Sequence, residues 1–159
     1  MQLFVIRHAG AEDLVAGRTD ADRALTNSGR RKLRRAVAGL RRLEVRLERV
    51  LTSPWTRATE TAALLAPIAR AAAVATPLLT QPPTQELLAL IADRGETTAV
   101  VGHEPWLGEL AAWLAFGATR HGDALVVKKA GVVWLEGTAV PGGMRLRALL
   151  PPRLLRALG

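Results

Sequence analysis

The sequence predicts an α/β fold with a largely parallel sheet, and three observations predict it. Short β-rich runs alternate along the chain with longer stretches of helical period, the order that crossover helices on a parallel sheet impose. The run over residues 97–101 closes in Ala99-Val100-Val101, an unbroken apolar stretch of the kind a central strand buried on both faces carries. The chain has 159 residues, 49% of them hydrophobic and 23% charged, which suits a single domain over residues 1–159. A domain of that size buries roughly 70% of the surface its unfolded chain exposes, enough to stand without disulfide or metal staples.

The elements follow in order. Residues 2–6 form a strand that Arg7-His8 cuts short. Residues 10–23 are polar with no sustained period and read as loop. Thr26 supplies an N-cap for a helix reaching about Leu43, in which Leu33, Ala36, Val37, Leu40 and Leu43 form one buried stripe. Residues 49–52 are a second strand, ended by Ser53-Pro54. A helix over 55–69 turns Ala58, Ala62, Leu65 and Ala69 inward, and residues 74–76 form a short strand. Pro82-Pro83 opens a helix over 84–93 that buries Leu87, Leu88 and Ile91. The central strand is followed by a helix over about 105–115. Residues 125–127, 132–135 and 144–149 read as strands, the last two joined as a hairpin through Gly142-Gly143. Pro151-Pro152-Arg153-Leu154-Leu155 reads as a closing tail.

Composition excludes several classes of function. There is no cysteine, hence no disulfide framework, thiolate nucleophile or cysteine metal site. No apolar run reaches membrane-spanning length, and the N-terminus lacks the basic and long apolar regions of a signal peptide, so the expected address is cytoplasmic. Net charge is +8, which attracts phosphorylated or acidic partners. Most of that charge is Arg30, Arg31, Lys32, Arg34, Arg35, Arg41 and Arg42, the wet side of the first helix. No aromatic residue is interleaved among them for base stacking, and the chain has two phenylalanines and no tyrosine, so nucleic acid is disfavoured as a partner.

Three features coincide in topology. Arg7-His8 follows the first strand, Arg57 lies in the first turn of the helix after the second, and Gly102-His103-Glu104-Pro105 follows the central strand. Ligands of open parallel sheets bind at the carboxyl ends of the strands, so all three open on one crevice. Two histidines and two arginines converging beside helix N-termini describe an anion site, best suited to phosphate. His121, between Arg120 and Gly122, reads as a surface loop residue.

The strand-Arg7-His8 start, Leu25-Thr26-x-x-Gly29, Ser53-Pro54-x-x-Arg57-Ala58-x-x-Thr61 and Gly102-His103 together resemble the histidine phosphatase superfamily. The short connection between Arg57 and His103 and the Leu150-Pro151-Pro152 ending are similar to its SixA-type phosphohistidine phosphatase branch. That resemblance implies a three-layer α/β/α sandwich with neither metal nor cofactor. It implies His8 as the nucleophile that becomes a phosphohistidine, with Arg7 and Arg57 clamping the phosphoryl oxygens and His103 stabilising the charge of transfer. Where the family usually reads Arg-His-Gly, this chain has Ala9, with Gly10 one position later.

No carboxylate matches the proton donor of the mutase and acid-phosphatase branches. Glu86 and Glu104 are the candidates by region, against their ordinary readings as a solvated helix residue and a helix N-terminal carboxylate. An alkoxide leaves poorly without a general acid, whereas a phosphoramidate has a better leaving group, so the missing acid favours a P–N substrate. The expected substrate is a phosphohistidine-bearing protein, with phosphate or other small oxyanions able to occupy the site. Two alternatives stand beside it: a small-molecule phosphomonoesterase on the same fold, and a non-catalytic phosphoanion-binding module.

Overall fold

Successive side chains of a strand point to opposite faces, and β1 (Gln2–Arg7) divides the core on that rule. Phe4 and Ile6 enter one apolar cluster, with α1 (Asn27–Arg42) and α2 (Thr56–Ala63). Leu3 and Val5 enter the other, with α3 (Gln85–Ala92) and α4 (Trp106–Phe116). The result is a three-layer α/β/α arrangement. The structure, a computed structural model, describes residues 1–93 and 96–159.

The remaining strands are β2 (Arg49–Thr52), β3 (Val74–Ala75), β4 (Thr97–Gly102), β5 (Val132–Gly137) and β6 (Met144–Leu150). They form one six-stranded sheet in the order β3-β2-β4-β1-β5-β6. The first four in that order run parallel, and β5 and β6 add an antiparallel hairpin beside β1. β4 is central, as its apolar run predicts, and pairs with β1 so that Arg7 lies opposite Gly102. The carboxyl ends of β1, β2 and β4 therefore meet at one edge of the molecule.

The start of α1 is explained by three side chains. Thr26 Oγ1 accepts the Gly29 N–H at 2.9 Å and caps the helix. Glu60 of α2 accepts the Leu25 N–H and pairs with Arg30, fastening the helix to its neighbour. Gly29 is a close-approach residue: a Cβ there would stand 2.1 Å from the Gly10 carbonyl oxygen. Arg31, Lys32, Arg34, Arg35, Arg41 and Arg42 are all exposed, so the outer face is wet and basic as expected.

Four expectations are corrected. Leu43 is 44% exposed, because the helix ends at Arg42 and the chain turns through Glu44 at φ 60°, leaving Val45 and Leu47 to be buried instead. The 55–69 helix breaks after Ala63, with a 3₁₀ turn over Ala66–Ile68. Pro67 has no N–H to give Ala63, and its ring clashes with that carbonyl. Residues 125–127 form no strand, since the Val127 N–H goes to Glu104 and its carbonyl to Arg7. The closing tail contains a helix, α5 (Pro152–Leu158), in which proline occupies the first helical position without loss.

Helix α5 lies on α1 at Gly39, where a Cβ would stand 2.0 Å from the Leu155 carbonyl oxygen. In an exposed helix Gly→Ala stabilises by about 1 kcal/mol. Here we expect Gly39→Ala to destabilise instead, by about 1–3 kcal/mol, because α5 must move away. Urea unfolding checks the sign. An unchanged or raised midpoint would show that α5 shifts without cost.

Candidate active site

β1 carries its ladder one residue further, with the His8 N–H donating to the Gly102 carbonyl at 3.1 Å. The Ala130 N–H is shared between the carbonyls of Arg7 and His8, which pins the strand end from the other side. The His8 ring is 6% exposed. Its Nδ1 lies 2.7 Å from the Ala9 carbonyl oxygen. A carbonyl only accepts, so Nδ1 carries the proton and Nε2 keeps its lone pair. The Ala9 N–H donates to Thr61 Oγ1, whose own hydroxyl donates to the Arg57 carbonyl. Thr61 thus ties the strand end to α2. The Ala9 methyl is buried at negative φ among the apolar side chains beside α1, so alanine is accommodated in place of the family's glycine.

Arg57, 4% exposed, stands in the first turn of α2. Its Nε–H donates to His8 Nε2 at 3.2 Å, so it faces the free nitrogen of that imidazole. Its two Nη groups reach Asp20, one the backbone carbonyl and the other Oδ2 at 2.7 Å. The guanidinium also lies 4.6 Å from the Trp55 ring centroid.

His103 emerges from β4 beside His8, the ring centroids 5.1 Å apart. Its Nε2 is 2.8 Å from Ser53 Oγ, which also accepts the Trp55 N–H. Nδ1 is buried with no partner among the described residues. Trp55 packs on the ring at 4.4 Å and Trp106 meets it edge-on at 6.4 Å.

Arg7 donates through Nη1 to the Val127 carbonyl at 2.9 Å, while its buried Nε has no partner among the described residues. It lines a hollow of about 350 Å³ with Glu104, Pro105, Gly122, Asp123 and Val126. Burial lowers the Arg7 pKa, an effect that Glu104 opposes and Arg57 adds to. Arg7 Nε is a buried donor suited to a ligand.

Burial pushes the His8 pKa down to about 4, with the charges of Arg57 and Arg7 adding to it against the Ala9 bond. Burial and then Arg57 push His103 down to about 3. Both imidazoles are neutral at pH 7. A neutral buried imidazole with a proton on Nδ1 and a lone pair on Nε2 is a nucleophile, and the groups around it suit a phosphoryl oxyanion.

A family model for the histidine phosphatase superfamily (branch 1) matches residues 3–82, a span that holds His8 and Arg57. The chain belongs to the histidine phosphatase superfamily. An uncharacterised protein of Picosynechococcus sp. is 36% identical, the match covering 87% of each chain. The protein histidine phosphatase SixA, solved in complex with tungstate, superposes with a TM-score of 0.80 at 26% identity, over 98% of this chain and 99% of that one. The alpha-ribazole phosphatase of Shigella flexneri shares the fold, with a TM-score of 0.72 at 18% identity over 96% and 97% of the two chains. As a histidine phosphatase, the protein is a phosphatase with a histidine nucleophile.

The fold brings Arg7, His8, Arg57 and His103 together, and it treats the two candidate acids differently. Glu86 is exposed on α3 and shares a hollow with Thr76, Pro77 and Ala89, without any of the four. Glu104 lies beside Arg7, but its oxygens accept the N–H groups of Gly108 and Val127, at 2.9 and 2.5 Å. His121 is exposed, against Phe116. Sequence reasoning missed Asp20, which lies in an irregular polar loop 37 positions from Arg57 and has no local signal. Ser53 and Thr61, motif residues in the sequence, act as hydrogen-bonded supports of His103 and of the chain after His8.

The lowered imidazole pKa values make stability pH-dependent. In the unfolded chain each histidine titrates near 6.5, and in the folded protein near 4 for His8 and 3 for His103. Between those values the unfolded state binds more protons, so stability falls as pH falls below about 6.5. We expect urea midpoints to drop between pH 7 and pH 4, and to drop less in the His8→Asn/His103→Asn double variant. Equal drops in the two proteins would show that other groups carry the acid sensitivity.

Proposed function

We propose that this phosphatase removes the phosphoryl group from a phosphohistidine-bearing protein, through a covalent intermediate on His8. The observation that carries the reading is the pairing of a neutral His8, its Nε2 facing Arg57, with a candidate acid beside Arg7, Glu104, whose oxygens already accept two backbone N–H groups. His8 Nε2 attacks phosphorus, and the P–N bond to the substrate imidazole breaks. When the other ring nitrogen of that imidazole is protonated, the group departs neutral and needs no acid from the enzyme. Water then attacks the phosphorylated His8, free phosphate leaves, and the attacking water gives its proton to solvent.

Arg57 and the unpartnered Nε of Arg7 are suited to the non-bridging oxygens, where fixed guanidinium forks match the charge that spreads in transfer. Ser53 Oγ lies 2.8 Å from His103 Nε2; with the hydroxyl as donor the His103 proton sits on the unpartnered Nδ1, and that N–H is suited to be a further donor to the phosphoryl group. The hollow beside Arg7 leaves room for the leaving group. The likeness to SixA supports the substrate class, and the reading extends to a cytoplasmic role in signal transduction. Among the described residues, no helix is long and apolar enough to cross a membrane.

The test compares kcat/KM on a phosphohistidine domain, an aryl phosphate and an alkyl phosphate. We expect the phosphohistidine domain to be the best substrate and aryl esters to exceed alkyl ones, because the ester oxygen must carry its charge unaided. His8→Ala should abolish turnover, and acid-labile phosphate should be trapped on wild-type His8. Wild-type activity in His8→Ala would remove it as nucleophile.

The second expectation concerns the carboxylates. Glu104→Gln turns an acceptor into an NH₂ facing a backbone N–H, and should cost stability by about 1–3 kcal/mol. Phosphohistidine hydrolysis per folded molecule should stay within a few-fold, and Glu86→Gln should change neither quantity. If either variant kept its stability but lost alkyl phosphate hydrolysis by more than about a hundredfold, it would mark a general acid. The phosphomonoesterase would then replace the phosphohistidine reading.

A further inference from the structure

Residues 12–19 are all exposed, and between Ala9 and Leu25 no hydrophobic side chain is buried. The hydrophobic effect therefore does little to order this loop, yet polar contacts brace it at every level. Its neck is closed by the Glu12 N–H on the Ala24 carbonyl and the Thr26 N–H on the Gly10 carbonyl, each at 2.9 Å. Near its end a 3₁₀ turn over Asp20–Asp22 is capped by Thr19, whose N–H and hydroxyl both reach Asp22 Oδ2. Arg23 ties the turn to the neck, with Nε on the Glu12 carbonyl and Nη1 on Asp20 Oδ1 at 2.7 Å. The other oxygen of Asp20 goes to Arg57. One carboxylate thus joins two guanidiniums, and the bracing converges on it.

A guanidinium has an end edge, formed by its two Nη groups, and a side edge that includes Nε–H. Asp20 takes the end edge of Arg57 with its backbone carbonyl and its carboxylate together. The side edge is left toward His8 Nε2, where the reading above places the phosphoryl group. A free arginine side chain samples many rotamers, and ordering it costs entropy. In this loop that ordering is complete before substrate arrives.

We infer that Asp20 is the positioning residue of Arg57: it holds the end edge of the guanidinium so that the side edge faces the phosphoryl group on His8. The inference rests on the reading of Arg57 as a phosphoryl clamp and adds to it the element that aims the clamp. The loop is then part of the active site, acting through Arg57 rather than by touching substrate. The Arg23 contact, first among the effects on Asp20, and the Arg57 contact together hold the carboxyl below its usual pKa, consistent with an ionised anchor at neutral pH.

A double-mutant cycle on the full chain tests this, with aryl phosphate turnover and tungstate inhibition as readouts and thermal melting as the fold control. Asp20→Ala should lower kcat/KM about tenfold to a hundredfold and weaken tungstate binding, since small misplacements of a clamp cost that much. In an Arg57→Ala background the same change should cost less than about threefold, because nothing remains to be aimed. Asp20→Asn keeps an oxygen for Nη2 and the backbone carbonyl, so it should recover part of the loss, and it serves for the cycle should the alanine variant misfold. Equal losses in both backgrounds would show a general structural role and overturn the inference. Tighter tungstate binding in Asp20→Ala would overturn it also, by showing that Asp20 competes with the oxyanion for Arg57. Arg57→Ala with wild-type turnover would defeat the clamp reading itself, a different result from an active-site arginine whose aim does not depend on Asp20.

Discussion

The register between β1 and β4 is the constraint on which the site depends. Arg7 lies opposite Gly102, so the residues that follow, His8 and His103, leave neighbouring strand ends with their rings 5.1 Å apart. That register is held by the core rather than by the site. A slip of one residue would exchange Phe4 and Ile6 with Leu3 and Val5 between the two apolar clusters, moving every side chain of β1 to the wrong face. Both faces are apolar, so the slip would put side chains of the wrong size into packed clusters, at about 1–3 kcal/mol for each misfit. The spacing of the two histidines is therefore enforced by apolar residues that never meet a substrate.

Given that frame, the site works against the ordinary preference of its groups. Arg57 and two histidines are buried with Arg7 half-buried beside them, and the histidines stay neutral because burial and the neighbouring guanidiniums oppose a further positive charge. Neutrality leaves the His8 Nε2 lone pair available, and the guanidiniums beside it suit an anionic ligand. Asp20 offsets part of the excess charge at the outer edge of Arg57 without reaching the face that His8 occupies.

Carboxylates elsewhere in this edge of the molecule act as braces. Glu60 accepts the Leu25 N–H and pairs with Arg30, and Glu104 receives the N–H groups of Gly108 and Val127. Irregular chain near a site has backbone groups that no ladder satisfies, and buried groups of that kind need partners. The segment around Val127 shows the exchange directly: its N–H and carbonyl serve Glu104 and Arg7 instead of a strand. Glu104 stands beside His103 in sequence yet is occupied by structural work.

The sequence by itself determined an α/β fold with a largely parallel sheet, most of its strands and helices in chain order, and the convergence of Arg7, His8, Arg57 and His103 at one end of that sheet. Those follow from local rules: period 2 against period 3.6, capping at Thr26, and the tendency of parallel strands to open their sites at one end. Tertiary structure decided everything that depends on distance in the chain. Leu43 has helical spacing but leaves the stripe at a turn, and residues 125–127 have strand composition but give their backbone to the site. The helix at Pro152 packs against Gly39, a contact that no local pattern announces. Asp20 reaches Arg57 across 37 positions, and Thr61 reaches Ala9 across 52. Periodicity and capping act over a turn or two of chain. A hydrogen bond between remote residues exists only once the packed core has brought them within 3 Å.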